Sequence, residues 1–237
     1  VPALVSQLAE VLAGIESEVI FVDDSDDETP KTIEAASGDR ALVAKVIRRT
    51  GPERRGGLST AVVEGIVSAT GKYVLIMDAD LQHPTGMIPQ LLATAYKADA
   101  DIVIASRNIP GGSDAGLAGP GRRVVSWGAK GLVKLLFFRT LRGVTDPLSG
   151  FFLARREVLA EGALRPIGFK ILLDILVRCD HPRVEEVPLP FAPRAAGKSK
   201  ATIRQGVDFL AHVVTLFWDV RRDGELRKRR GLRANSR

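Results

Sequence analysis

Asp78 and Asp80 stand one residue apart, directly after the apolar run Tyr73-Val74-Leu75-Ile76-Met77. Such a run reads as a strand of a parallel sheet buried on both faces. Side chains alternate along a strand, so the two carboxylates can leave it on the same side. A pair of this kind at a strand's C-terminal end suits a hard divalent cation. Magnesium takes one or two protein carboxylates and fills its shell with phosphate oxygens and water. Open α/β sheets bind their ligands in that crevice. The triplet alone is as often a loop or a cap; the strand ahead of it favours the binding reading.

A second acidic stretch, Asp23-Asp24-Ser25-Asp26-Asp27-Glu28-Thr29, also follows a predicted strand. So many carboxylates repel one another unless a cation or hydrogen-bond donors lie close. Capping of the next helix accounts for one of them, or for Thr29. An acid just after a strand can also accept hydrogen bonds from a ribose or base. Four basic sites are candidates for anion binding: Arg54/Arg55, Arg107, Arg122/Arg123 and the loop Arg194 to Lys200. Each alone is more often a solvated surface group. Arg107 follows Asp101-Ile-Val-Ile-Ala, so it too lies at a strand's end, and Arg suits bidentate phosphate contact.

The elements that must position these residues follow from the hydrophobic pattern. Helices are predicted at Val1 to Ile15, from Pro30, and at Ser59 to Ala69, Pro84 to Lys97, Arg122 to Leu141, Arg156 to Leu159, Ile171 to Arg178 and Gln205 to Val220. Strands are predicted at Glu18 to Val22, Ala41 to Ile47, Tyr73 to Met77, Asp101 to Ala105, Gly150 to Leu153 and Val184 to Pro190. Gly51 to Gly57 and Asn108 to Gly121 read as loops. Strand and helix alternate without an internal repeat, which predicts a layered α/β fold.

Composition is consistent with this. The chain has 237 residues, 45% of them hydrophobic, enough for one large domain. Lys and Arg number 34 against 28 Asp and Glu. The segment Arg221 to Arg237 holds eight of the former and two of the latter, so the remainder carries 26 of each. The whole surplus sits in a basic tail, 221–237, that favours an anionic partner or serves as a solubilising extension. The lone Cys179 cannot form an intrachain disulfide and reads as core. His83, His181 and His212 are far apart. No apolar run reaches the roughly 20 residues of a membrane-spanning helix.

Taken in order, several runs resemble the family 2 glycosyltransferases, and within them the polyprenol-phosphate (dolichol-phosphate) mannose synthases. They are Phe21-Val-Asp-Asp-Ser, Gly57-Leu-Ser-Thr-Ala, Met77-Asp-Ala-Asp-Leu-Gln-His-Pro, Ile104-Ala-Ser-Arg, Asp146-Pro-Leu-Ser-Gly-Phe-Phe and Gly197-Lys-Ser-Lys. The resemblance covers about Val1 to Phe217. It implies a GT-A (Rossmann-like) layered fold, α/β with a largely parallel central sheet flanked by helices, over residues 1–220. It implies inverting transfer of mannose from GDP-mannose to a polyprenyl monophosphate, with Mg2+ or Mn2+. By position, Asp78, Asp80 and Gln82 would hold the metal. Asp23, Asp24, Asp78, Ala79, Asp80, Gln82, Arg194 and Lys198 would bind the donor, and Arg107, Arg122 and Ser126 the acceptor phosphate. Asp80, Arg107, Arg122 and Lys198 would carry catalysis. His83 is expected to support structure, and Asp146 to orient the sugar or a phosphate-binding Arg. In this family a strand ending in a Pro-x-Tyr-Asn-Glu-like segment precedes the first helix, and the present sequence starts within that helix. The common Gly-Leu-Gly is Gly57-Leu58-Ser59 here.

A polyprenyl chain stays in the bilayer, so peripheral contact on the cytoplasmic face of a membrane is expected, with a membrane-protein partner as a further expectation. Val124 to Leu141 has the mixed apolar and basic composition of an interfacial helix, and Val207 to Val220 followed by the basic tail is a second candidate, with core packing as the plain alternative for both. Transfer of another sugar such as glucose, a non-catalytic lipid- or nucleotide-binding homologue, and nucleic-acid binding through the tail are the alternatives. Few aromatics and no recognition motif rank nucleic acid last.

Overall fold

The computed structural model describes residues 1–38, 42–113, 120–161, 164, 170–179, 182–191 and 203–234, with side chains described for these except 120–125, 160–161, 203–205, 207 and 223–234. The elements run α1 (Pro2–Val11), β1 (Val19–Asp23), α2 (Thr29–Gly38), β2 (Ala44–Arg48), α3 (Leu58–Ser68), β3 (Tyr73–Ile76), α4 (Ile88–Lys97) and β4 (Ile102–Ser106). They continue with α5 (Pro120–Leu136), β5 (Phe152–Arg155), α6 (Arg156–Glu161), α7 (Ile171–Arg178), β6 (Val184–Pro188) and α8 (Ile203–Ala234). The predicted loop after Gly51 is a 3₁₀ turn at Gly51–Arg54, and a second at Thr85–Met87 leads into α4. The helix expected at Gln205 to Val220 runs on to Ala234, through most of the segment read as a tail.

The strands form a two-stranded sheet, β1-β2, and a four-stranded one in which β3, β4 and β6 point the same way, as expected of a largely parallel sheet, and only β5 is reversed. β1 and β2 pair in parallel, as do β4 and β6. β5 is inserted between β3 and β4 and runs antiparallel to both, giving the order β3-β5-β4-β6. The reason lies in the preceding loop. Asp146 meets Arg107 beyond the C-terminal end of β4, so the chain enters β5 where β3 and β4 leave the sheet, and it can only run back. β3 is also not buried on both faces. All four of its residues are half-buried, and the fully enclosed strand is β4.

β4 divides two cores by simple alternation. Ile102 and Ile104 face a cluster with Val133 of α5, Phe137 just after it, Leu172, Leu173, Ile175 and Leu176 of α7, and Phe209, Val213 and Leu216 of α8. Val103 and Ala105 face Leu4, Val5 and Leu8 of α1 and Leu91 and Ala95 of α4. Each fully buried aliphatic side chain contributes roughly 1.5–3 kcal/mol. Cys179 is buried, as expected.

α7 is enclosed along its length, Asp174 included. That carboxylate accepts a hydrogen bond from Arg178 Nε (3.0 Å), and Arg178 Nη2 reaches Asp219 Oδ2 of α8 (3.0 Å). His212 of α8 is buried beside them, its Nε2 4.0 Å from Asp174 Oδ1. Burial lowers the His212 pKa below its usual 6.5, with the pull of Asp174 in the opposite direction and Arg178 adding to the lowering. A histidine held neutral by the fold takes up a proton more readily when unfolded. Stability is therefore full above pH 6.5 and falls as pH drops from there toward the depressed folded value. Thermal melts should show Tm falling on acidification from pH about 7.5 to about 5.5, and His212→Leu should reduce that slope. An unchanged slope would mean that this seam does not sense pH.

Candidate active site

β3 and β4 point the same way, so the residues that follow them come to one end of the four-stranded sheet, while the acidic loop follows β1 of the two-stranded sheet. β3 ends at Ile76, and Asp78 follows. Its backbone N–H donates to His83 Nδ1 (3.0 Å), which requires that nitrogen to be unprotonated. His83 is buried and stacked on Phe151, with ring centroids 4.9 Å apart. Burial lowers its pKa, against the raising pull of Asp78 and Asp80. His83 is thus a neutral support for the Asp78 turn, as the sequence suggested. Between the carboxylates and His83, Leu81 has φ +64°, left-handed backbone that a branched residue rarely adopts. Such strain concentrates at functional sites. It turns the chain so that the Gln82 N–H donates to Asp80 Oδ1 (3.1 Å) while the Gln82 residue is buried.

Arg107 lies just beyond β4, and its partner is Asp146. Arg107 Nε and Nη2 donate to Asp146 Oδ2 (2.7 Å) and Oδ1 (2.9 Å), and its backbone N–H also points at Oδ2 (3.3 Å). The Asp146 side chain has no exposed surface and that of Arg107 has 11%. Burial pushes the Asp146 carboxyl up, but hydrogen bonds and charge from Arg107 outweigh it and hold the pKa below the ordinary value. Asp146 therefore orients the arginine. The guanidinium also lies over the Phe191 ring. Gly112 makes room for this strand end: a Cβ there would fall 2.6 Å from Ser106 O and 2.8 Å from the Arg107 carbonyl carbon.

The acidic loop after β1 is neutralised internally. Asp23 is buried and accepts from the Ser25 hydroxyl (2.8 Å). Asp24 receives Arg49 Nε (2.7 Å) and Nη2 in a bidentate pair. Arg49 is almost wholly buried and also donates to Thr60 Oγ1 and Gly57 O. Asp27 accepts from the Thr29 N–H at the start of α2, the capping role anticipated for one acid. Arg54 binds Asp26 (2.8 Å) and the Ser25 carbonyl, so it braces this loop. The sequence reading passed over Arg49, although the strand-end rule that flags Arg107 applies to it equally, since β2 ends at Arg48. Lys170 and Glu186 were also passed over, and nothing local marks them.

Ser126 is half-buried on α5. Arg122 lies in the first turns of the same helix, and its side chain falls outside the described residues. Arg194, Lys198 and their loop also lie outside them. Among the described residues, no group of three or more His, Cys, Asp or Glu side chains is arranged to hold a metal ion. The local donor set is two hard carboxylates, Asp78 and Asp80. It fits a magnesium- or manganese-type ion whose remaining positions are filled by phosphate oxygens and water.

With this geometry, a family model described as Glycosyl transferase family 2 matches residues 2–162. The chain belongs to the family 2 glycosyltransferases. The dolichol-phosphate mannosyltransferase of Pyrococcus furiosus is 39% identical over 218 residues, which are 91% of this chain and 60% of that protein. That of Saccharomyces cerevisiae is 34% identical over 211 residues, 85% of this chain and 74% of that protein. This glycosyltransferase chain thus spans about three fifths of the Pyrococcus relative. Among solved structures, Mycobacterium tuberculosis glucosyl-3-phosphoglycerate synthase superposes with TM-score 0.68 at 21% identity, covering 92% of this chain and 74% of the other. A structure of that enzyme with Mn2+, UDP-glucose and phosphoglyceric acid gives TM-score 0.65 at 20% identity, covering 91% and 75%. At this identity the likeness establishes the GT-A-like fold.

Removing one partner of a buried ion pair strands the other. Asp146→Ala should therefore destabilise the family 2 domain by about 3–5 kcal/mol in denaturant titration. A loss within the roughly 0.5 kcal/mol typical of surface changes would deny the pair its structural role.

Proposed function

We propose that this chain transfers mannose from GDP-mannose to a polyprenyl monophosphate with inversion at the sugar, assisted by Mg2+ or Mn2+. The observation that carries the reading is that Asp78 and Asp80 follow β3 at the same end of the sheet as the Arg107–Asp146 pair beyond β4, and that the loop whose Asp146 grips Arg107 also sets Gly150 against Asp78. The identity to relatives named dolichol-phosphate mannosyltransferase supports the choice of sugar and lipid class.

The chemistry asks little of a base. A phosphate monoester loses its second proton near pH about 6, so its oxygen is already a nucleophile at neutral pH. That oxygen forms a bond to the sugar C1 while the bond from C1 to the donor phosphate oxygen breaks, and GDP leaves with the electron pair. No proton needs to move, which agrees with a neutral, buried His83. A bound divalent cation would supply Lewis-acid stabilisation of the leaving diphosphate. Asp78 and Asp80 would hold it, with Gln82 beside them. Arg107, with Arg122 and Ser126 from α5, would hold the acceptor phosphate against repulsion from the donor. The Asp23–Asp24 loop, stiffened by Arg49, would wall the nucleoside side.

Contact with a bilayer is part of the proposal. Trp127 of α5 and Leu135 and Phe138 at its end are exposed, as are Leu210, Val214 and Trp218 of α8. The helices meet through Phe137 and Phe217. Exposed Lys134 of α5, Arg139 and Arg142 in the turn after it, and Arg221 and Arg222 of α8 add positive charge. Each cation near an anionic leaflet contributes roughly 1 kcal/mol. Among the described residues no helix is long and apolar enough to cross a membrane, and peripheral attachment on the cytoplasmic face is the arrangement proposed.

The test is transfer of radiolabelled sugar from GDP-mannose, and separately from UDP-glucose, into butanol-extractable lipid with polyprenyl phosphate. Magnesium-dependent label from GDP-mannose is the expected result. Asp80→Ala should lower kcat/KM by about 10²-fold or more and remove the response to magnesium. Arg122→Ala should raise KM for the lipid phosphate and spare the donor. Label from UDP-glucose alone would replace the donor, and no lipid label from either would overturn the reading.

A further inference from the structure

Lys170 has no part in the chemistry described so far. It stands just before α7, and its Nζ donates to the carbonyl oxygen of Leu148 at 2.9 Å. Leu148 sits midway in the loop that joins the site's two halves. Two residues before it, the Asp146 carboxylate grips Arg107. Two residues after it, Gly150 lies so close to the other half that a Cβ there would be 3.5 Å from both Asp78 Oδ2 and His83 Cε1.

Other anchors of this loop come from the sheet and from Asn108 just beyond β4, whose Nδ2 donates to Thr145 O (3.2 Å). Glu186 of β6 accepts the backbone N–H groups of Thr145 and Asp146, both at 3.0 Å. The Ser106 and Thr145 hydroxyls share a hydrogen bond of 2.7 Å. The Ser149 hydroxyl donates to Ala105 O (2.8 Å). Lys170 reaches the loop from the helical layer instead, with a charge-assisted bond of the stronger kind. The residue is half-buried by area, yet desolvation, and then the charge of Arg107, push its pKa down to about 8 against the pull of Asp146 and Asp78. Its charge also acts on His83. These groups therefore lie within one another's electrostatic reach.

We propose that Lys170 is a positioning residue of the active site: by holding the Leu148 carbonyl it fixes both Asp146 against Arg107 and Gly150 against Asp78 and His83. One ammonium would thus set the acceptor-side arginine relative to the metal-side carboxylate. Small misplacements of reacting groups cost up to about 10²-fold in rate. The effect on rate rests on the glycosyl-transfer reading above; the effect on the loop does not.

The experiment compares the unaltered chain with Lys170→Met, which keeps length but loses charge and donors, and with Lys170→Arg, which restores both. Amide hydrogen exchange is measured without ligands, and transfer kinetics in the lipid assay. In the Met variant, exchange at Ser149, Gly150 and Phe151 should speed up about tenfold or more while β1 and α3 keep their rates. Its kcat should fall about 10²-fold with donor KM changed far less, and the Arg variant should recover much of both. Unchanged loop exchange in the Met variant overturns the proposal. So does equal acceleration across β1, α3 and the loop, or global unfolding not relieved by Arg, since each makes Lys170 a general stabiliser. If the unaltered chain transfers from neither donor, the functional reading fails and the exchange comparison still decides the role of Lys170.

Discussion

A carboxylate with no exposed surface survives in a fold only where its charge is met in place, because desolvating an unpaired ion costs several kcal/mol. Asp146 is such a group, and Arg107 meets it with two side-chain hydrogen bonds and one from its backbone. The pair fixes the end of β4 to the loop that enters β5. Because the loop is held there, β5 starts at the edge where β3 and β4 finish and runs antiparallel between them. The same loop packs Gly150 against Asp78 and His83. The sheet order, the direction of Arg107 and the seat of Asp78 are thus consequences of one buried contact and the groups that surround it.

The electrostatics of the edge are divided. On one side, Asp23 to Asp27 would repel one another, but Arg49, Arg54, Ser25 and Thr29 supply the donors. On the other side, Arg107 is matched by Asp146, and His83 is kept neutral by burial and by accepting the Asp78 N–H. Asp78 and Asp80 follow β3, with Gly150 of the Asp146 loop set against Asp78. A site arranged in this way is suited to hold anions through a cation and oriented donors, with little call for proton transfer. That agrees with a reaction between two phosphate-bearing substrates, in which positioning and charge stabilisation carry the rate.

Much of this was legible in the sequence. The apolar run ahead of Asp78 and the run ahead of Arg107 placed both at strand ends, and helical periodicity gave α7 its observed limits. What failed was pairing. Nothing in Phe152–Arg155 states that it will run against β3 and β4, because direction is set by where the loop before it is tied. Burial of β3 was overestimated for a related reason: four apolar residues read alike in a central strand and at the edge of a four-stranded sheet. Arg49 carries the same strand-end signal as Arg107, whereas Lys170 was invisible as a site residue because its partner, Leu148, lies 22 residues away. The role of Asp146 as the holder of Arg107 was one of two open possibilities, and only the 39-residue contact between them decides it.

The central claim is that two carboxylates serve a cation shared with the donor's diphosphate. Manganese binding followed by electron paramagnetic resonance tests it most directly. With Asp78 and Asp80 as the local protein ligands, free Mn2+ should fall on adding the protein only when GDP-mannose or GDP is present, and not for Asp80→Ala. Equal Mn2+ uptake without nucleotide, or undiminished uptake by Asp80→Ala, would contradict the account.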